Sequence, residues 1–354
     1  MVENKAEISY LQWLATETPT QWWHDSAEPA ELEQGILHKA SGVTTNPVLI
    51  AKTLQTSPGY WAAQLKGISC DLALPQRTEQ IIRGVVCRTA KLFEVEYENS
   101  QGERGYVCAQ VNPSIASDVN AMVEMAKRFS EWAPNISVKL PATASGLEAL
   151  EECIAQGISI TSTVSHSVPQ VIAVAERHHK GMQRAVKAGK RKAKCFAVIM
   201  IGRIDDYLRN VADDIKADVS ESDIMQAGIA VTKRAYSIFK ERKYETTLLV
   251  AALRGAYHME ALTGADLIVS IHPKYQMELL KPAVLRDSCR IEVPVDAKVI
   301  TRLSKINDFV RIYESEGMKP QEFITYGLTQ RTLEQFFFAG WSIIENWLFN
   351  KTKV

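Results

Sequence analysis

Short apolar and β-branched segments alternate with longer segments of helical periodicity, and this alternation repeats about eight times along the chain. Strand and helix in this succession are typical of parallel strands joined by crossover helices. Eight repeats favour an α/β fold of the closed (β/α)8 kind, the TIM barrel, over an open sheet. No G-x-G-x-x-G follows the first segment and no G-x-x-x-x-G-K-[ST] occurs, so the main motifs of nucleotide-binding sheets are missing. The predicted strands lie near Gln21–Asp25, Gly42–Thr45, Gly105–Val111, Ile136–Leu140, Ile158–Val164, Cys195–Ile201, Thr246–Leu253 and Asp266–Ile271.

Two of the intervening helices have clear local signals. Apolar residues at a spacing of three or four predict one helix face, made of Ile115, Val119, Val123, Ala126 and Phe129. Ser145 and Glu148 are spaced as a capping box, which predicts that the next helix begins at Ser145, and Gly157 is placed to end it.

The chain after the eighth strand is predicted to be helical, and its last helix, from Arg331 to Phe349, is apolar on most sides. Such a helix must be buried, so we expect it to pack against the barrel. A further contact between two copies of the chain, as in a homodimer, remains open. We expect one domain over residues 1–354, in which residues from about 310 to 354 form a helical C-terminal extension. The predicted stripe of the last helix is Leu333, Phe337, Trp341, Ile344 and Leu348, with Phe336, Ile343 and Trp347 beside it.

Composition narrows the class of protein. Lys and Arg number 41 and Asp and Glu number 41, so the formal net charge is zero. Binding to nucleic-acid phosphates needs a basic surface, so we expect no nucleic-acid partner, and the basic run from Lys187 to Lys194 is interpreted as a solvated helix end. No apolar run approaches ~18 residues, which argues against a membrane span or a secretory signal. The 6 scattered cysteines form no C-x-x-C pair and indicate reduced thiols of a cytoplasmic protein.

Lys139 is the first candidate for chemistry. Alternation in the fourth strand places Ile136, Val138 and Leu140 on one face and Ser137 and Lys139 on the other. Burial lowers the pKa of a lysine, and the neutral amine is the form that attacks a carbonyl carbon. The alternative is a lysine whose ammonium extends from the strand end into solvent.

Polar residues also follow several other predicted strands. The second strand ends in Thr44–Thr–Asn–Pro47, the fifth in Thr161–Ser–Thr163, the sixth in Gly202–Arg–Ile–Asp–Asp206 and the seventh in Arg254. The carboxyl ends of all strands of a barrel lie on one face, where enzymes of this fold have their active sites. We therefore expect these residues and Lys139 to form one site.

In these segments the sequence resembles the transaldolase family of the class I aldolase superfamily, from Trp23 to about Pro273. Four motifs carry the resemblance in the family's order and spacing: TTNP from Thr44, KLPAT from Lys139, the GI…T…T pattern from Gly157 and GRIDD from Gly202. The fructose-6-phosphate aldolase branch of the same superfamily shares the lysine.

The resemblance implies a role for each matching residue. Lys139 resembles the lysine that forms a Schiff base with the ketose, and Asp25 resembles the acid/base that takes the proton from the hydroxyl beside the cleaved bond. Thr163 resembles the residue that holds the catalytic water. The residues assigned to substrate binding are Thr45, Asn46 and Thr161, together with Arg203 and Arg254, which resemble the pair that grips the distal phosphate.

Gln110 is the main departure from the family pattern. Transaldolases generally have a glutamate there, whereas the aldolase branch has glutamine, which can orient a water but cannot transfer a proton. We therefore expect Asp25 and a water held by Gln110 and Thr163 to carry the proton transfers. His166 and His272, just past the fifth and eighth strands, are candidate acid/base substitutes, although a structural role is the alternative for each.

Other departures and weaker candidates surround this site. Val198, Met200, Thr161 and Ala252 stand where transaldolases have a serine, a phenylalanine, an asparagine and another serine. Tyr257 and Tyr275 are weaker acid/base candidates, and His24 is expected to face away from Asp25.

The function implied by the resemblance is transfer of a three-carbon dihydroxyacetone unit between phosphorylated, or otherwise anionic, ketoses and aldoses. This belongs to carbohydrate metabolism of the pentose phosphate type and needs neither a metal nor an organic cofactor. Two alternatives stay open. One is a Schiff-base aldolase that releases the three-carbon unit, and the other is a catalytically silent barrel that acts as a binding module.

Overall fold

Eight parallel strands form a closed barrel in the computed structural model, which describes residues 8–69, 71–280, 286 and 289–347. Successive strands are neighbours and β8 pairs with β1, as Trp22 opposite Val269 shows. Each observed strand overlaps one of the predicted strands, so the (β/α)8 fold is confirmed. The strands are β1 Gln21–His24, β2 Gly42–Val43, β3 Tyr106–Gln110, β4 Ile136–Pro141, β5 Ile160–Thr163, β6 Cys195–Met200, β7 Thr247–Ala251 and β8 Ile268–Ile271.

Helices connect the strands, and more helices follow β8. Those up to β6 are α1 Tyr10–Glu17, α2 Pro29–Leu37, α3 Pro47–Thr56, α4 Pro58–Gln64, α5 Leu74–Asn99, α6 Val119–Ser130, α7 Ala144–Ala155 and α8 Val168–Lys187. Those between β6 and β8 are α9 Ile201–Ile215, α10 Glu221–Ile224, α11 Ala227–Arg242 and α12 Ala256–Leu262. Those after β8 are α13 Pro273–Leu279, α14 Ala297–Leu303, α15 Asn307–Tyr313, α16 Pro320–Phe323, α17 Gly327–Phe336 and α18 Ser342–Glu345.

Aromatic side chains fill the barrel interior on the side away from the carboxyl ends of the strands. The ring of Phe196 packs edge-on against Trp23 at 4.9 Å and against Tyr106 at 5.3 Å between centroids. Gly42 lies beside this cluster, and a Cβ there would come within 2.7 Å of the Trp23 indole. Since this part of the interior is filled, side chains at the carboxyl ends of the strands have the free space.

Two helices begin at residues other than those that the sequence predicts. The predicted helix face included Ile115, but Ile115 ends a separate 3-10 turn, Pro113–Ile115, and α6 begins at Val119 after the cap residue Asp118. The predicted capping box at Ser145 is wrong, because the Thr143 hydroxyl accepts the Gly146 N–H and α7 has already begun at Ala144. Gly157, at φ +82°, follows the end of α7 as predicted.

His24 faces away from the barrel interior, as expected, and is fully buried between β1 and its covering helices. Its Nδ1 lies 3.0 Å from Nε2 of Gln276 on α13, and a side chain at Gly35 on α2 would collide with the ring. Burial lowers the pKa of His24 to about 4, an effect that the Gln276 hydrogen bond opposes. The imidazole is therefore neutral in the folded protein at neutral pH.

The last helix is not continuous as predicted. A π-helical turn, Phe337–Trp341, interrupts it between α17 and α18. The turn shifts the buried face, so Phe336, Trp341 and Ile344 are buried whereas Leu333 and Phe337 are only partly buried. The predicted stripe is therefore wrong at the turn, and its residue Leu348 lies outside the described residues.

The π-helical turn packs on the start of α3, as expected for an apolar segment on the barrel. Gly340 makes the closest approach, since a Cβ there would come within 2.6 Å of the Pro47 carbonyl carbon and of the Val48 nitrogen. Trp347 donates its indole N–H to the Leu54 carbonyl on the same helix at 3.2 Å. Phe338 is 69 % exposed on the opposite side. A homodimer contact through this segment stays a prediction.

Other sequence signals are placed as follows. The basic run follows Lys187, the last residue of α8, and within it Lys194 pairs with Glu103 while Arg191 donates to the Gly157 carbonyl. Thus the run begins at the predicted helix end, but after Lys187 it is the mostly exposed connection to β6 and not helix. Cys87, Cys108, Cys153 and Cys195 are free thiols. Among the described residues, no helix combines the length and apolarity that crossing a membrane requires.

We predict that Gly340→Ala destabilises the protein by about 1–3 kcal/mol, because the added methyl group overpacks a contact that only glycine allows. The midpoint of urea denaturation measures the change. Gly59→Ala is the matched control, since a Cβ at Gly59 meets no atom within 4 Å and alanine favours the helix α4. Equal stability of the two variants would contradict the proposed contact.

We predict that the free energy of unfolding falls as the pH decreases from about 6.5 to 4, with His24 contributing up to about 3 kcal/mol. In this window the unfolded chain binds a proton at His24 that the folded protein does not, so lower pH favours unfolding. Urea denaturation at several pH values should show a shallower dependence for His24→Asn than for the wild type. His179→Asn, at an exposed histidine, serves as the control and should keep the wild-type slope.

Candidate active site

A cavity of about 310 Å³ lies at the carboxyl ends of the strands. It is where the sequence places the candidate site, and it contains side chains from seven strand ends, from α13 and from α17. The residues that line it are Asp25, Thr44, Asn46, Lys139, Thr163, Val198, Met200, Arg203, Leu249, Ala251, Ala252, Leu253, Arg254, Ser270, His272, Lys274, Tyr275 and Phe336.

Lys139 points into this cavity from β4 and is only 5 % exposed. Its Nζ donates to the backbone carbonyl of Thr45 at 3.0 Å, and no carboxylate of the described chain pairs with it. Burial lowers the pKa of Lys139, and the nearby positive charge of Arg203 acts in the same direction, while Cys108 and Asp25 oppose it. The surroundings of Lys139 therefore favour the neutral amine.

Asp25 follows β1 and is held by a chain of hydroxyl groups. The Thr44 hydroxyl donates to Asp25 Oδ1 at 2.6 Å, and the Ser270 hydroxyl lies 2.6 Å from the same Thr44 oxygen. Since Thr44 gives its own proton to Asp25, Ser270 is the donor to Thr44. These hydrogen bonds fix one carboxylate oxygen and leave Oδ2 without a side-chain partner among the described residues.

The other residues of the TTNP segment, Thr45 and Asn46, differ in their contacts. Asn46 caps α3 through Oδ1, which accepts the Leu49 N–H at 3.0 Å, and its side chain lines the cavity. Thr45 does not line the cavity, because its fully buried hydroxyl donates to the Cys108 carbonyl. The Thr45 carbonyl therefore contacts Lys139, whereas the Thr45 side chain is not available to a ligand in the cavity.

Gln110 and the two threonines of β5 lie on the strands next to Lys139. Gln110 is opposite Lys139 in the pairing of β3 with β4, and its buried Oε1 has no hydrogen-bond partner among the residues that the structure describes. Thr163 lines the cavity. Thr161 does not, because its buried hydroxyl lies deeper in the barrel, 2.7 Å from the Ser137 hydroxyl and 3.5 Å from the Cys108 sulfur.

The two arginines differ in their partners. Arg254 forms a two-pronged ion pair with Asp206, through Nε at 2.8 Å and Nη2 at 2.6 Å. Arg203 has no such pair in the described chain, its Nε is buried without a partner, and its guanidinium lies 5.5 Å from the ring centre of Phe336. Burial, with help from Arg254, lowers the pKa of Arg203 to about 10, so it remains a cation. Arg203 is therefore a buried positive charge at the cavity that no carboxylate of the described chain pairs with.

Arg254 is also fixed through its backbone. His258, fully buried on α12, accepts the Arg254 N–H at Nδ1, and its Nε2 lies 2.9 Å from the equally buried Asp205. In the GRIDD segment, Asp206 thus holds the guanidinium of Arg254, and Asp205 holds the Arg254 backbone through His258. Tyr257 contacts Asp205 at 3.3 Å and lies outside the cavity lining.

The two candidate histidines are in different environments. His272 lines the cavity, where Nδ1 accepts the Lys274 N–H and Nε2 lies 3.5 Å from Lys52 Nζ; burial lowers its pKa. His166 is fully buried beneath Thr332 of α17 and lies outside the cavity, and burial lowers its pKa well below the usual value. Contact with a ligand is therefore available to His272 but not to His166.

Seven cavity residues were not connected with the site from the sequence: Thr44, Leu249, Ala251, Leu253, Ser270, Lys274 and Phe336. Thr44 belongs to the TTNP motif, and Ser270 could have been found from the alternation of β8, which points it inward with His272. Phe336, which is 1 % exposed, comes from the C-terminal segment and was assigned only to the core. Its position depends on the packing of distant parts of the chain.

Comparisons with known proteins bear on the family of the chain. The family model "Transaldolase/Fructose-6-phosphate aldolase" matches residues 22–325. A transaldolase of Thiobacillus denitrificans is 30% identical over 66% of this chain and 68% of its own length. Transaldolases of Kocuria rhizophila and Mycolicibacterium paratuberculosis are 27% and 29% identical, each over 62% of this chain. The chain spans only 62% and 61% of the length of these last two relatives.

The family match covers the whole barrel, from β1 to the helices after β8, and therefore includes every strand end that lines the cavity. Identities of 26–30% to the relatives show how far the sequence has diverged from them. The chain belongs to the transaldolase/fructose-6-phosphate aldolase family of enzymes, as a divergent member.

Proposed function

We propose that the protein transfers a three-carbon dihydroxyacetone unit between sugar phosphates through a Schiff base on Lys139. The observation that carries this proposal is the buried Lys139 amine. It faces a cavity, has only a neutral carbonyl as its hydrogen-bond partner in the described chain and has a lowered pKa. A buried amine of this kind is suited to nucleophilic attack on a ketone. Such chemistry belongs to carbohydrate metabolism of the pentose phosphate type.

The first half of the reaction forms and uses an iminium. The Lys139 nitrogen adds to the ketose carbonyl carbon, and loss of water gives the iminium. Asp25, held ready by Thr44, takes the proton of the hydroxyl on the second carbon from the iminium carbon, which lies across the bond that will break. The carbon–carbon bond then breaks, its electron pair flows towards the iminium nitrogen to give an enamine, and the aldose leaves.

The second half reverses these steps with a new aldehyde. The enamine carbon bonds to the aldehyde carbon, and the aldehyde oxygen takes the proton back from Asp25. Water then adds to the iminium and releases the product ketose and the free amine. Gln110 and Thr163 lie on the strands on either side of Lys139. Gln110 Oε1, which has no partner in the described part of the chain, is suited to hold this water.

The distal anion is assigned to Arg203. A guanidinium with unused N–H groups at the mouth of a cavity binds phosphate through charge-assisted hydrogen bonds. The amino end of α9, which carries Arg203 in its first turn, adds positive potential at the same place. Arg254 contributes less, because Asp206 holds its Nε and Nη2 and the Ala252 and Leu253 carbonyls accept from its Nη1.

Gln110 favours a second candidate function, Schiff-base cleavage of a ketose without transfer. The side chain at this position is a glutamine, as in the aldolase branch, so water at the site is oriented rather than deprotonated. The two functions differ in whether product forms without an acceptor aldehyde. Release of free dihydroxyacetone from fructose 6-phosphate alone would favour the aldolase.

We predict that borohydride traps a three-carbon adduct on Lys139 after incubation with dihydroxyacetone or fructose 6-phosphate. Intact-mass measurement followed by peptide mapping locates the adduct. Lys139→Met should form none, whereas Lys91→Met, at an exposed lysine paired with Glu94, should form as much as the wild type. No adduct in the wild type with any ketose would rule out both enzymatic functions and leave the silent barrel.

We predict that Arg203→Gln raises the KM for fructose 6-phosphate about 10- to 100-fold, because charge-assisted hydrogen bonds to the phosphate are lost. Adduct formation with unphosphorylated dihydroxyacetone should change by less than about twofold, since no phosphate is involved. Steady-state kinetics and trapping give the two measurements. Arg128→Gln, which removes a surface pair with Glu79, is the control. A parallel loss of both activities would assign Arg203 a structural role instead.

A further inference from the structure

The cavity wall is divided into a polar side and an apolar side, and this division bears on the substrate class within the proposed function. The polar side comes from the ends of β1, β2, β4, β5 and β8. It supplies hydroxyl, carboxylate, amide, amine and imidazole groups around the Lys139 nitrogen. Its residues are Asp25, Thr44, Asn46, Lys139, Thr163, Ser270 and His272.

The other side, which we call the apolar arc, is formed by Val198 and Met200 of β6, by Leu249 and Ala251 of β7 and by Ala252, which follows β7. The two strands of the arc are paired side by side, with Val198 opposite Leu249 and Met200 opposite Ala251. The arc has no side-chain group that can donate or accept a strong hydrogen bond.

The backbone of the apolar arc is also occupied. The Val198 carbonyl accepts the Ser165 hydroxyl at 2.5 Å, and the Met200 N–H donates to the Ser165 carbonyl at 3.0 Å. The Ala252 carbonyl accepts both the Gly202 N–H at 3.2 Å and Nη1 of Arg254 at 2.9 Å. A ligand hydroxyl that faced the arc would therefore find these backbone groups already paired.

The position of the arc relates it to one part of the substrate. β6 leads directly into Arg203, and β7 leads into Arg254, whereas Lys139 lies on β4. A ketose bound to Lys139 at one carbon and to Arg203 at its anionic end has its intervening carbons beside the arc. Those carbons belong to the acceptor aldehyde. Phe336, packed over Arg203, extends the apolar wall to the anionic end.

A hydroxyl buried without a partner costs free energy, whereas a methylene group gains free energy by burial against apolar atoms. We infer that the preferred acceptor is an anionic aldehyde whose chain lacks the hydroxyl groups of a sugar. The polar side still accommodates the hydroxylated three-carbon unit. This inference rests on the proposed Schiff-base chemistry and replaces a sugar phosphate by an anionic aldehyde with an apolar chain as the preferred acceptor.

The test compares two acceptors of equal length and charge, erythrose 4-phosphate and 4-oxobutyl phosphate, which lacks both chain hydroxyls. The full-length protein is supplied with dihydroxyacetone as the donor, and the ketose products are quantified by mass spectrometry. We expect a kcat/KM for 4-oxobutyl phosphate at least about tenfold above that for erythrose 4-phosphate. Equal values, or a preference for erythrose 4-phosphate, would overturn the inference.

Variants that add a hydroxyl to the arc test its cause. Val198→Thr keeps the side-chain shape, and we expect it to reduce the ratio of kcat/KM for the two acceptors about fivefold or more. Ala251→Ser is expected to reduce the same ratio and serves as the test in the event that Val198→Thr folds poorly. Val95→Thr makes the same chemical change at a residue that is 65 % exposed on α5 and should leave the preference unchanged. An unchanged preference in both arc variants would show that the arc does not set it.

Borohydride trapping on Lys139 separates the two levels of the proposal. Trapping with dihydroxyacetone but no preference between the acceptors overturns only the acceptor class. A lack of trapping overturns the proposed function, and the acceptor class falls with it.

Discussion

The hydrogen bond from Lys139 Nζ to the Thr45 carbonyl joins the catalytic candidate to the framework of the barrel. Thr45 is itself fixed to β3 through its hydroxyl, and the next residue, Asn46, caps α3. The start of α3 is the surface on which Gly340 packs. A neutral carbonyl partner holds the amine in place without stabilising its charge as a carboxylate would. The protein thus keeps a buried amine oriented while its proton affinity stays low.

Most of the fold was predictable because the signal for it is local and repeated. Alternation in β4 placed Lys139 inside the barrel, and the succession of strand and helix implied parallel closure. The errors arose where the backbone path depends on non-local contacts. Thr143 rather than Ser145 caps α7, in part because its hydroxyl also donates to the Ala116 carbonyl. The π-helical turn that begins at Phe337 lets Phe336 pack over Arg203 and Gly340 pack on α3. A regular helical period does not predict both contacts.

The sequence predicts which residues lie at the candidate site better than it predicts which of their side chains pair with each other. Strand ends converge in any parallel barrel, so Asp25, Thr163 and Arg203 could be assigned to one cavity. Which arginine is neutralised could not be read from spacing, because the fork between Arg254 and Asp206 depends on the loop after β7. For the same reason His166 and His272 looked equivalent, although α17 covers only His166. Phe336 was missed since its contact with Arg203 joins parts of the chain far apart in sequence.

The placement of Phe336 gives the C-terminal segment an energetic connection to ligand binding. Phe336 packs over Arg203, and the adjoining π-helical turn packs on α3. By linkage, an anion that binds only when Phe336 is in place stabilises the docked segment by the free energy of its own binding. The relation is reciprocal, so release of the segment lowers the affinity for the anion by the same factor. An anion whose binding requires Phe336 is thus a thermodynamic partner of the helical segment from Gly327 to Glu345.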